Sequence, residues 1–184
     1  MENWDIYTQN REKTGRTITR GDNLGNNEYR LAVHICIFNN KNQMLIQQRQ
    51  PFKKQWANMW DITVGGCAKS GETSQQAIQR ELFEELSLKM DFTNVRPQLT
   101  INFENGFDDI YMVQLDNNIE IDNLQLQYEE VQCVQWASIK EIEEMIHRGV
   151  FIPYYENLIK LMFDMKGTYG CFDNNHFIIK SNIA

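Results

Sequence analysis

The sequence predicts an α/β (α+β) fold, on three observations. Short apolar or alternating runs at residues 4–7, 29–38, 44–49, 99–103, 110–115 and 131–136 read as strands. Two segments, 73–86 and 138–147, carry apolar residues at helical spacing behind a capping signal. The 184 residues are 42% hydrophobic and 23% charged, which suits one globular domain with a sizeable core and leaves little for a second.

In chain order, residues 4–7 and 16–20 are expected to form an N-terminal hairpin across a polar turn at Lys13, Thr14 and Gly15. Together with the loop at 21–28 they make an appendage of about residues 1–28. Residues 29–38 and 44–49 read as a second hairpin across Asn39, Asn40, Lys41 and Asn42, with Pro51 stopping its second strand. The run Ile62, Thr63, Val64 leads into Gly65 and Gly66, a pair that permits a tight turn and close backbone approach to a ligand.

Thr73 with Gln76 fits a capping box, and Ala77, Ile78, Leu82 and Leu86 continue an apolar stripe. Ser138 with Glu141 supplies the same signal for the second helix. The tail from Gly149 and Pro153 repeats apolar residues at Tyr155, Leu158, Ile159 and Met162. It is expected to be a helical extension over about 150–184, serving core packing or a homodimer contact, with 169–179 less regular. The chain carries no internal repeat and no low-complexity linker.

Composition narrows the function classes. No apolar segment follows a basic start in Met1 to Asp5, and no run reaches membrane-spanning length, so a soluble cytoplasmic protein is expected, with no membrane partner. The formal charge of −7 argues against general adhesion to nucleic acid, although a local basic groove could still receive phosphates. The cysteines at 36, 67, 133 and 171 show no CxxC pairing, which argues against a zinc site or a disulfide scaffold. Cys36 and Cys133 read as small buried thiols, and Cys67 as a loop residue that would react only if exposed. His34, His147 and His176 are scattered, and none commands a catalytic role.

The chemistry concentrates on the first helix. Glu81, Glu84 and Glu85 stand at i, i+3 and i+4, so their side chains emerge side by side. Like charges so placed repel by a few tenths of a kcal/mol per pair. A hard divalent cation would compensate them, and carboxylate oxygens suit Mg²⁺ or Mn²⁺. A solvated acidic face, with Arg80 pairing to Glu84, is the plainer alternative, but the glycine pair upstream favours the metal. Glu72, just outside the first turn, fits either the metal shell or a simple interaction with the helix dipole.

From Gly66, with five residues to Glu72 and seven more to Arg80-Glu81-Leu82-Phe83-Glu84-Glu85-Leu86-Ser87-Leu88, the segment resembles the Nudix box. Every charged position of that pattern is present. Ser87 departs from it, standing where the family has a glycine that ends the helix in a left-handed conformation. A serine there should cost about 1 kcal/mol or force a different cap. The resemblance implies an α/β/α sandwich with a mixed sheet, and hydrolysis of a diphosphate linkage in a nucleoside diphosphate joined to another moiety. It further implies Glu81 and Glu85 as ligands of Mg²⁺ or Mn²⁺, and Glu84 as a further ligand or water-orienting base. Arg80 would orient the acids. A carboxylate outside the box, Glu130 in preference to Glu129, would complete the site. Arg49 with Lys53 or Lys54 could grip phosphate oxygens of a small-molecule substrate, near Gly65 and Gly66, while Trp56 and Trp60 could stack a base or, in preference, pack in the core.

A second resemblance runs over most of residues 4–140, from Trp4-Asp5-Ile6-Tyr7 through Gly15-Arg16, Arg20-Gly21-Asp22 and Ile37-Phe38-Asn39 to Trp56-Ala57-Asn58-Met59-Trp60-Asp61. These stretches are similar to the Nudix subgroup related to isopentenyl-diphosphate isomerase, whose type I enzymes use a catalytic cysteine and a histidine-rich metal site. Here Gly65 stands where that cysteine belongs, Cys67 where a metal histidine belongs, and Arg30 near another. The isomerase apparatus is therefore missing, and the box keeps its hydrolase form. Hydrolysis is the expectation. An isomerase-like enzyme, or a catalytically silent ligand sensor favoured only by Ser87, are the alternatives.

Overall fold

The computed structural model describes residues 2–116, 119–170 and 172. Strands β1 (Asn3–Tyr7) and β2 (Lys13–Thr19) form a separate antiparallel ribbon. Its turn lies earlier than expected: Thr8 Oγ1 accepts from the backbone N–H of Asn10 and of Glu12 at 3.3 Å each, and Arg11 takes φ 63°. A hydroxyl closes the turn ahead of the expected Lys13, Thr14 and Gly15, all of which fall within β2, with Gly15 at φ 79°.

The other seven strands make one mixed sheet. They are β3 (Arg30–Phe38), β4 (Gln43–Arg49), β5 (Trp60–Asp61), β6 (Val64–Cys67), β7 (Leu99–Phe103), β8 (Gly106–Gln114) and β9 (Val131–Ser138). β3 runs parallel to β8 along its whole length and antiparallel to β6, while β4 takes β5 and β9 as antiparallel partners. The expected β3–β4 hairpin exists only at its base, because the two strands pair solely at Phe38 and Met44. Beyond that point the sheet divides. Thr63, fully buried, holds the junction: its hydroxyl accepts from Ile37 N–H at 2.9 Å and donates to the Leu45 carbonyl.

Helices α1 (Ser74–Leu86), α2 (Ile139–His147) and α3 (Glu156–Met165) cover the two faces. Leu31, Val33, Ile35 and Ile37 of β3 pack with Ala77, Ile78, Leu82 and Leu86 of α1. Cys36 and Phe38 point the other way, into a second cluster with Ile142 and Met145 of α2 and Ile159, Met162 and Phe163 of α3. A strand buried on both faces reads as a near-continuous apolar run, as β3 does from Leu31 to Phe38 with His34 as the one interruption. The result is an α/β/α sandwich.

Both capping boxes form, at Thr73 with Gln76 and at Ser138 with Glu141. Ser87 keeps the left-handed conformation of a glycine, at φ 56°. Its N–H bonds the Phe83 carbonyl at 2.9 Å and its hydroxyl the Gln125 carbonyl at 3.2 Å. β8 starts four residues before the apolar run beginning at Ile110, since its parallel pairing with β3 carries Asp108 and Asp109 into the sheet. The segment 169–179, with Cys171 and His176, lies mostly outside the described residues. No helix among the described residues is long and apolar enough to cross a membrane.

Candidate active site

Arg80 is the hub of the acidic cluster. Its Nε and Nη2 donate to the two oxygens of Glu72 at 2.7 and 2.9 Å, and Nη2 also reaches the Cys67 carbonyl at 3.0 Å. Nη1 meets Glu81 at 2.8 Å and Glu84 at 3.1 Å. A planar fork makes all these bonds at once, which a lysine could not do. Glu72 also accepts from Lys69 N–H at 2.8 Å, so burial, which would raise its pKa, is outweighed and the carboxyl stays below the usual range. Glu72 therefore pins the loop before α1 to the helix.

Glu81 lies against Gly66: a Cβ built on that glycine would fall 2.1 Å from its Oε1. Gly65 clears the opposite side, where a Cβ would fall 2.3 Å from His34 Nε2. The two glycines sit in β6 rather than in a loop, and what they admit are side chains of this chain. Burial pushes the Glu81 carboxyl up, against the lowering influence of Arg80. Glu84, the most exposed of the three, also meets Lys69 Nζ at 3.1 Å.

Glu85 is 5% exposed, and among the described residues its carboxylate takes one hydrogen bond, from Gln47 Nε2 at 3.0 Å. Burial raises its pKa well above the ordinary value, the charge of Glu81 adds to this, and Gln47 only partly offsets it; Glu130 and Asp61 push the same way. Beside it, Gln47 Oε1 is a buried acceptor without a partner among the described residues. As they stand, no three histidine, cysteine or acidic groups among the described residues converge on one point, and Arg80 Nη1 bridges Glu81 and Glu84. The donor chemistry nevertheless fits a hard divalent cation: Glu85, a buried carboxyl with no cation beside it among the described residues, next to an unpaired amide oxygen.

The remaining expected residues divide. Glu130, at the start of β9, bears electrostatically on Glu85 but is paired with Lys53 Nζ at 2.6 Å. Arg49 stands 3.9 Å from Asp61, with its Nε buried and unpartnered. Both are partly exposed: Lys53 is engaged by Glu130, whereas Arg49 keeps its Nε free among the described residues. Trp60 packs against the second core cluster, but Trp56 does not pack: it is 47% exposed at φ 52°. Burial pushes the Cys67 thiol up to about 11, so it is not a reactive thiolate at neutral pH. Cys36 is fully buried as expected, and Cys133 partly so. A cavity of about 570 Å³, lined in part by Arg11, Lys13, Ser74 and Arg96 near the start of α1, includes none of Glu81, Glu84 or Glu85.

The sequence reading missed a polar group set into the sheet. His34 Nδ1 bonds Asp108 at 2.7 Å, and Tyr154 donates to the buried Asp61 at 2.9 Å. The available signals were polar residues interrupting apolar strands: His34 in β3, and Gln47 in β4. The packing of His34 also means that a cysteine at position 65 would collide with its ring.

A mixed sheet between helical layers, with box acids gathered about Arg80, defines a Nudix-type protein. The model of the NUDIX domain matches residues 28–156, and the chain belongs to the Nudix family. A Listeria monocytogenes protein described as an uncharacterized Nudix hydrolase is 42% identical over 168 residues, covering 91% of this chain and 97% of that one. An isopentenyl-diphosphate Delta-isomerase of Pectobacterium atrosepticum is 29% identical over 121 residues, 64% of this chain and 66% of the isomerase. The crystal structure of DR0079 from Deinococcus radiodurans superposes with a TM-score of 0.70 at 24% identity, covering 88% and 97% of the two chains. The protein is a hydrolase of the Nudix class, which acts on pyrophosphate bonds.

Proposed function

We propose that this hydrolase uses Mg²⁺ or Mn²⁺ to cleave the diphosphate linkage of a small-molecule nucleoside diphosphate derivative or a related compound. The observation that carries the reading is Glu85, a buried carboxylate with one neutral donor, beside the unpartnered Gln47 Oε1. Removing one partner from a buried charge is costly, so a site built this way calls for a cation. Glu81 and Glu85 would hold the ion, with Glu84 and Glu130 as further ligands. When bound, it supplies neutralisation of phosphate charge and acidification of water.

The chain's own residues do the rest. Arg80 fixes Glu81 and Glu84 relative to each other, and Glu72 fixes Arg80. Glu84, with its side chain 38% exposed, is the acid best placed to orient or deprotonate a water. Gly66 lets the Glu81 carboxylate lie close against the β6 backbone. The isomerase alternative is opposed by Gly65, which cannot carry a side chain beneath His34. A cytoplasmic setting accords with the free thiols at 36, 67 and 133.

The test is a panel of diphosphate compounds incubated with the full chain and Mg²⁺ or Mn²⁺, with products identified by mass spectrometry. Metal-dependent cleavage that falls by about 10²-fold or more in Glu85→Gln is the expected result. Ligand-dependent thermal stabilisation without any cleavage would replace the hydrolase by a sensor. Interconversion of isopentenyl and dimethylallyl diphosphates without phosphate release would replace it by an isomerase.

A further inference from the structure

The box acids would hold a diphosphate whatever is attached to it. Two turns beside them carry exposed aromatic rings. Phe52, in the turn after β4, is 56% exposed, and Tyr128, in the turn before β9, is 72% exposed. Their rings meet with centroids 5.8 Å apart, tilted by 42°. Single apolar side chains on a surface need no explanation, whereas two packed together there make a patch of the kind that ligands use. Direct hydrogen bonds join both turns to the acids. Gln127 N–H, one residue before Tyr128, donates to the Glu85 carbonyl at 3.0 Å. Gln47 of β4, the strand that runs into the Phe52 turn, donates to the Glu85 carboxylate at 3.0 Å. The turns are also tied to each other. Lys53, next to Phe52, pairs with Glu130 at 2.6 Å, while Gln50 N–H and Nε2 donate to the Glu130 and Val131 carbonyls at 3.1 and 3.2 Å. Tyr128 is thus held between Gln127, bound to the helix that carries Glu85, and Glu130.

We infer that Tyr128, backed by Phe52, is the platform on which the base of a nucleoside diphosphate substrate stacks. The inference rests on the proposed diphosphate reading and selects, among its substrates, those that carry a flat aromatic group. The base lies on the outer face of Tyr128 and not between the rings. A base between them would need the rings parallel and about 7 Å apart, two stacking steps of about 3.4 Å, and they are closer than that and tilted. Phe52 packs against one side of the tyrosine ring and leaves the other to solvent. An isoprenoid chain laid there would keep much of its surface in water, because apolar ligands need a site that encloses them. A flat base takes most of its contact from one face. Every base has such a face, so the platform asks for a base without choosing among bases. A tyrosine ring on two side-chain torsions, already propped by a neighbour, has little freedom left to lose on binding.

Two ligands that differ only in the nucleoside separate the base from the phosphates: the non-hydrolysable adenosine 5′-(α,β-methylene)diphosphate and methylenediphosphonate. Each is titrated calorimetrically, with Mg²⁺, into the full wild-type chain and into Tyr128→Ala, Tyr128→Leu, Tyr128→Phe and Phe52→Ala, all checked for folding by circular dichroism. The wild type should bind the nucleoside analogue about tenfold or more tightly than methylenediphosphonate. Tyr128→Ala should lose about tenfold for the nucleoside analogue and less than twofold for methylenediphosphonate. Tyr128→Leu, apolar but without a ring, should lose most of the same factor. Tyr128→Phe should keep wild-type affinity, since the ring and not the hydroxyl makes the contact, and Phe52→Ala should lose a smaller part.

No gain in wild-type affinity from the nucleoside, or a folded Tyr128→Ala chain that weakens both ligands alike or neither, would overturn the platform. If Tyr128→Ala does not fold, Tyr128→Leu decides by the same criterion. Metal-dependent cleavage confined to diphosphates without a base would overturn it too, and leave the hydrolase reading standing. Tyr128-dependent binding of the nucleoside analogue by a chain that cleaves no compound of the panel would sink the hydrolase reading and keep the platform.

Discussion

Substituting Gly66 by alanine tests the site without touching any acid. Gly66 pairs with Val33 across β3 and β6, and the hydrogen that would become Cβ points at Glu81. The new carbon would lie 2.1 Å from Oε1 and 2.3 Å from the carboxyl carbon, where ordinary contact begins at 3.4 Å. The carboxylate must therefore retreat by roughly 1 Å. It is the far end of a flexible side chain, so the fold should survive at a cost of about 1–3 kcal/mol. Retreat, however, disturbs the 2.8 Å contact to Arg80 Nη1, and through it the placement of Glu84. A misplacement of about 1 Å in a catalytic group costs on the order of 10²-fold in rate. The assay is kcat against Mg²⁺ concentration at saturating substrate, alongside thermal unfolding. Gly149→Ala is the control, since its φ of 67° adds backbone strain in open space away from the acids; it should lose stability and keep kcat. A folded Gly66→Ala enzyme with kcat and Mg²⁺ dependence within threefold of wild type would refute the role given to Glu81.

Three further outcomes are expected. Arg80→Lys should destabilise the chain by about 2–4 kcal/mol in urea unfolding, because one ammonium cannot replace a fork shared among Glu72, Glu81, Glu84 and the Cys67 carbonyl; a loss below 1 kcal/mol would count against Arg80 as the organiser. Ser87→Gly should gain about 0.5–1 kcal/mol by relieving the left-handed φ of 56°, less whatever the hydroxyl bond to Gln125 contributes; a destabilised variant would mean that bond dominates. For pH, the folded pKa of His34 near 9 lies above its unfolded value of about 6.5. Its contribution, on the order of 3 kcal/mol, is therefore complete below about pH 6.5 and lost as pH rises through 9. Asp108→Asn should flatten that alkaline slope in denaturant midpoints measured from pH 6 to 10, and an unchanged slope would contradict the ion pair.

What was legible in the sequence is what is decided within a few residues. The capping boxes at Thr73 and Ser138, the strand at 99–103 and the emergence of Glu81, Glu84 and Glu85 on one turn of α1 all depend on neighbours at most four positions away. The errors share a cause. The polar stretch Lys13, Thr14 and Gly15 reads as the N-terminal turn, whereas the hydroxyl of Thr8 closes it earlier. The apolar run marks a strand only from Ile110, while β8 begins at Gly106 and carries Asp108 and Asp109, which pair with His34 and Arg11. Trp56, expected to pack rather than stack a base, is 47% exposed.

The sequence by itself determined the family, the acidic helix and the types of atom available to a cation, since those follow from residue identity and helical geometry. The tertiary structure decided which partners those groups meet: Glu85 with Gln47, Lys53 with Glu130, and His34 with Asp108 are 38, 77 and 74 residues apart. Such pairs are set by strand order and register in a divided sheet, and a side chain's charge, access to solvent and room to move depend on that pairing rather than on its neighbours in the chain.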